Sequence, residues 1–206
     1  MKIATLTLSV LFITGCTSFT TVNPGGCGTS TLNTVCLGKT TVPTKHRKLF
    51  LVASNQAIDV ISSHAFKNDL ENFVKLHANT GRYSTAWLGI DTSTITDRLI
   101  QEIQGLQVST FGGVKGLFYT VFYGTNAFEG DGTGPILLNR WSLPRSSASI
   151  ANTIVHEVTH RIGLSHPSIK KDRKTANCEP PYLIGSLVEK HILEGNWDPK
   201  GHCQLL

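Results

Sequence analysis

The residues best suited to chemistry stand in one run, His156-Glu157-Val158-Thr159-His160. Histidines four apart lie about one turn along the same face of a helix, so both imidazoles reach one ion. Glu157 stands beside the pair, placed to hold a water rather than the metal itself. The run continues Arg161-Ile162-Gly163-Leu164-Ser165-His166. A glycine has no Cβ to clash in the left-handed turn that ends a helix, so the chain can double back after it. His166 then becomes a third nitrogen ligand. Three neutral histidines leave a fourth position open, the arrangement of catalytic rather than structural zinc. The chemistry expected is metal-assisted hydrolysis: zinc lowers the pKa of a water to about 7, and Glu157 takes its proton and passes it to the leaving group.

A helix must present those residues, and the pattern predicts one. Ile150, Ile154, Val158 and Ile162 repeat every four residues after the serine-rich entry Ser146–Ser149, and Gly163 follows. This is one buried stripe. Upstream, Phe66, Leu70, Phe73, Val74 and His77 recur at helical spacing behind Ser62 or Ser63 as N-cap, with His77 expected as a core or boundary histidine. Thr94 and Asp97 suggest a capping box for a helix that buries Ile95, Leu99, Ile100, Ile103 and Leu106. Strands are expected at Leu49–Ala53, Ala57–Ile61, Ala86–Ile90, Leu117–Tyr123 and Pro135–Asn139. Leu117–Tyr123 is the densest in aromatic and β-branched residues. Glu129 and Asp131 lie in a glycine-rich loop that lacks the spacing of a calcium-binding hand. Mixed strands and helices, with a long helix late in the chain, make an α+β domain over 49–206.

His156 to His166 resembles the extended zinc signature of the metzincin metallopeptidases, H-E-x-x-H-x-x-G-x-x-H, at every fixed position. The resemblance implies zinc held by His156, His160 and His166, with Glu157 as general base of an endopeptidase. It also implies a twisted mixed sheet whose antiparallel edge strand lines the substrate cleft ahead of the active-site helix. One departure is plain. That family carries a methionine turn beneath the metal, and the only methionine here is Met1. In family register Pro180 replaces the methionine, and Tyr182 keeps a tyrosine found two residues later. Such a phenol ligates the metal or steadies the oxyanion; the plainer role is a boundary tyrosine opening a last helix with Leu183, Leu187 and Ile192. A rival ligand set keeps His156 and His160 but takes Glu189 or Glu194 as third ligand, leaving His166 a bystander.

The first residues read as an address. Met1 and Lys2 precede an apolar run, Ile3 to Ile13, that ends Thr14-Gly15-Cys16. This resembles the lipobox of bacterial lipoproteins, so 1–15 are expected to be a signal peptide and Cys16 the lipidated N-terminus. The remaining cysteines, Cys27, Cys36, Cys178 and Cys203, are even in number, as two disulfides of an exported chain require. Proximity favours Cys27–Cys36 and Cys178–Cys203, although three pairings exist. Residues 16–48, rich in Thr, Ser and Gly and ending in Lys45-His46-Arg47-Lys48, read as a tether. The expected place is the cell envelope: the outer membrane in a Gram-negative host, or secretion without the lipid.

Composition narrows the rest. The chain has 206 residues, 40% hydrophobic and 16% charged, which excludes wholesale disorder. A net charge of +5 is mild, and with Lys170–Lys174 it gives no case for nucleic acid in an exported protein. The expected partners are a protein or peptide substrate, peptidoglycan cross-bridges included, and the membrane through the lipid anchor. The expected state is a monomer. The competing reading is a non-catalytic surface lipoprotein that binds a partner.

Overall fold

The structure is a computed structural model that describes residues 20–21, 42–77, 91–104, 106–123, 127–128, 136–166 and 179–195. Six helices carry most of it: α1 Thr44–Ser62, α2 His64–His77, α3 Thr92–Gln104, α4 Gly113–Tyr123, α5 Ser147–Arg161 and α6 Pro180–Glu194. Four short strands, β1 Thr20–Thr21, β2 Gln107–Phe111, β3 Ala127–Phe128 and β4 Ile136–Asn139, form a sheet in the order β1-β2-β4-β3. The two central strands run parallel, and each edge strand is antiparallel to its neighbour. Among the described residues, no helix is long and apolar enough to cross a membrane.

Helix α5 is the hub. It packs on α1, α3 and α6 and touches β3. Ile150, Ile154, Val158 and Ile162 are buried on it, but so are Ala148, Ala151, Thr153, Val155 and Thr159. A helix covered on so much of its girth is a core element, and only its polar stripe is left to form a site. The Ser146 hydroxyl accepts the Ser149 N–H at 3.1 Å and satisfies one of the donors orphaned at the helix start.

Several elements differ from the sequence expectations, each for a physical reason. Residues 49–53 and 57–61 are not strands but parts of α1. Their apolar run has no clear period when read alone; over the longer window Phe50, Ala53, Ala57 and Ile61 make one buried helical stripe. The same helix takes in Lys45–Lys48, so ordered structure starts before residue 49, with Val42 already buried. Leu117–Tyr123 is helical within α4. Its β-rich composition is overridden by tertiary context, since strand preference reflects packing more than backbone. The parallel pairing of β2 with β4 requires a long crossover, and α4 lies within it. Side chains from the end of β4 hold it there: Asn139 Nδ2 donates to the Gly116 carbonyl at 3.0 Å, and Trp141 Nε1 to that of Gly113 at 3.2 Å.

Helix α3 begins two residues before Thr94, because Asp91 caps it. The Asp91 carboxylate accepts the backbone N–H of Ser93 at 3.2 Å and of Thr94 at 3.3 Å, and also both hydroxyls. These bonds favour the charged form and hold its pKa below the usual value. Leu106 lies past the end of α3, which stops at Gln104. It begins the alternation Leu106, Val108, Thr110, buried at every second residue, that marks β2. Helix α2 runs as its spacing predicts, with Ser63 as cap: its hydroxyl accepts the Phe66 N–H at 3.1 Å. The expected strand Ala86–Ile90, the loop with Glu129 and Asp131, the basic segment 170–174, the leader with Cys16, and the cysteines 27, 36, 178 and 203 lie outside the described residues.

Candidate metal centre

The last turn of α5 builds the site. Helix α5 ends at Arg161, and Gly163 takes φ 91° in the left-handed region. The Gly163 N–H then bonds to the His160 carbonyl at 3.1 Å, and the Leu164 N–H to the Thr159 carbonyl at 3.0 Å. This nested pair is a Schellman motif, and it satisfies carbonyls that the helix end would otherwise orphan. It also reverses the chain sharply enough to return His166 to the helix face.

His156, His160 and His166 consequently offer ring nitrogens that all lie within 4.8 Å of one another. Their ring centroids are 5.0–5.3 Å apart. A backbone carbonyl orients one of them. His160 Nδ1 sits 2.9 Å from the Leu164 carbonyl, so the tautomer that donates there turns Nε2 toward the cluster. Burial, then the neighbouring His160 and His166, pushes the His156 pKa down to about 3. Imidazoles at a common focus, one of them aimed by an outer acceptor, are what a metal ligand set requires. Nitrogen donors of this kind suit zinc as well as copper, iron and nickel.

Around the cluster stand two further groups. Glu157 is buried on α5 at 8% exposure, one residue past the first ligand. Tyr182, in the first turn of α6, lays its ring 4.3 Å from His156 and 4.7 Å from His166, centroid to centroid. Burial and then the Glu157 carboxylate raise its pKa. Four of the residues expected to carry the chemistry, His156, His160, His166 and Tyr182, thus meet at one place, and Glu157 follows His156 directly in the chain. Glu179, half-buried just before α6, joins them: burial raises its pKa and His166 partly offsets that. Nothing in its local sequence marked it.

The rival third ligands are engaged elsewhere. Glu189 accepts from Asn152 Nδ2 at 2.6 Å, and exposed Glu194 pairs with Lys190 at 2.8 Å. Neither belongs to a metal-competent cluster among the described residues, where the His156, His160 and His166 group stands.

No protein-family model matches the chain, and no curated protein or solved structure does either.

Proposed function

We propose that the protein is a zinc-dependent peptide hydrolase of the metzincin kind, acting at the bacterial cell envelope. The observation that carries this reading is the convergence of His156, His160 and His166 within 4.8 Å, with Glu157 buried beside the first of them. Zinc bound there supplies Lewis acidity and brings the pKa of a water near 7. The chain's own residues do the rest. Glu157 accepts the proton of the attacking water and delivers it to the leaving amine, so one carboxylate serves both halves of the step. Tyr182, whose raised pKa keeps the phenol protonated, donates a hydrogen bond to the oxygen that gains charge as the carbonyl is attacked. Substrates are protein or peptide, peptidoglycan cross-bridges included. The lipobox-like Thr14-Gly15-Cys16 supports a lipid-anchored place at the envelope.

The test pairs metal content with hydrolysis in the wild type and Glu157→Gln. About one zinc per chain is expected in both, since the glutamate is not a ligand, with cleavage of an unstructured protein reduced at least about a thousandfold in the variant. Undiminished cleavage by Glu157→Gln removes that residue as the base. Zinc without cleavage in either protein favours a binding module.

A further inference from the structure

The two helices that share the site approach each other closely one turn away from it. Residues rising along α5 meet residues falling along α6, with His156 against Tyr182, and Asn152 against Gly185 and Glu189. Position 185 has no room for a side chain. A Cβ there would collide with the Asn152 side-chain oxygen and lie 2.9 Å from the Asn152 backbone oxygen. The first atom can move; the second belongs to the helix itself. Gly185 is buried and has no unusual φ, so its need for glycine is proximity alone. The contact is fastened on its far side. Asn152 Nδ2 donates to Glu189 at 2.6 Å, and Glu189 also faces the Arg145 guanidinium. Arg145 Nη1 in turn donates to Thr153 Oγ1 at 3.0 Å.

We infer that Gly185, secured by the Asn152–Glu189 bond, is the positioning residue of the metal centre. Its missing side chain sets the separation of α5 and α6, and that separation holds the Tyr182 ring against His156. The ring packs on the imidazole at 4.3 Å between centroids, so helix spacing becomes ligand orientation. The inference rests on the proposed metal site for its consequence, but its geometry stands without it.

Gly185→Ala, Asn152→Ala and the double variant test it in the full-length chain, with two readouts. In metal-free protein, the His156 ring protons give a through-space cross-relaxation signal with the Tyr182 ring, assigned by its loss in His156→Gln. That signal is expected to disappear in Gly185→Ala and to return in part when Asn152→Ala is added. With zinc alone as probe, measured against a chromophoric chelator, Gly185→Ala is expected to bind at least tenfold more weakly. The visible bands of the cobalt-loaded protein are expected to shift, which a merely less stable fold does not cause. A folded Gly185→Ala with the wild-type imidazole signal and cobalt spectrum overturns the inference. If Gly185→Ala does not fold, Asn152→Ala decides: a weakened imidazole signal supports the inference and an unchanged one overturns it. A wild type that binds no zinc, but shows the signal lost in Gly185→Ala, overturns the proposed function and leaves the positioning role standing.

Discussion

His156, His160 and His166 at the end of α5 face one another, whereas His191 near the end of α6 faces a carboxylate. His191 Nε2 lies 2.9 Å from Asp69 Oδ2 on α2, and its ring meets Phe66 edge-on at a centroid distance of 5.8 Å. Its side chain is almost wholly buried. This histidine has what a structural polar group needs: a carboxylate partner, an aromatic neighbour, and two helices to join. The cluster has the opposite character. Three like groups converge, so protonating one opposes protonating the next, and the outer bond of His160 goes to a carbonyl that fixes orientation without adding charge. The same side chain thus serves to hold the fold in one place and to await a cation in the other. What separates the two is the company each keeps, and His191 is also the more deeply buried.

The sharpest way to break this contrast is to remove one member of the cluster. His160→Ala should lower zinc affinity by at least about a hundredfold, because it deletes a ligand rather than an outer partner. Its thermal unfolding in metal-free form should change little, since the ring is only half-buried and its carbonyl contact is local. Chelator competition beside thermal melts checks both halves. Unaltered zinc affinity would mean that the three rings do not act as one site.

Burial of His156 gives the cluster a pH dependence of its own. His156 titrates in the unfolded chain near 6.5, and the fold brings it down to about 3. Between those values the unfolded chain takes up a proton that the folded chain refuses. Its contribution to stability is therefore complete above pH 6.5 and is lost as the pH falls toward 3, at up to about 1.4 kcal/mol per pH unit. Metal-free His156→Gln lacks this proton and should show a shallower decline in urea midpoint over that window. Parallel declines for the two proteins would show that burial at 156 does not oppose the charge.

The sequence carried these two environments unequally. Helix α5 was legible because Ile150, Ile154, Val158 and Ile162 repeat with the period of a helix, and Gly163 stands where only a left-handed residue ends it cheaply. The placement of His166 followed from that one turn. Helices α1 and α4 were illegible for the converse reason. Leu49–Ala53 is apolar without a period, and Leu117–Tyr123 has strand composition in a segment whose conformation is fixed by Asn139 and Trp141 from across the chain. The acceptor that aims His160, the Leu164 carbonyl, could not be read at all. Backbone groups carry no residue-type signal, so an outer shell built from them becomes visible only with the fold. His191 was likewise silent: its role comes from Asp69, more than a hundred residues earlier, and no local spacing links them.

That long-range pair gives the smallest effect and the finest test of the contrast. In Asp69→Asn the amide keeps the shape of the carboxylate and can still hydrogen-bond the ring, so only the charge is withdrawn. Asp69 is a quarter exposed, and solvent already screens part of that charge. The loss should be about 1 kcal/mol of folding stability, the scale of one hydrogen bond to a charged group less what the amide restores. Zinc affinity should stay within about twofold of the wild type, because the pair joins α2 to α6 some two turns beyond the segment that meets His156. A urea midpoint lowered with unchanged zinc binding keeps the two environments distinct. Weakened zinc binding at equal or greater loss would instead make His191 part of what holds α6 to the site, and the division between structural and metal-seeking histidines would have to be redrawn along that helix.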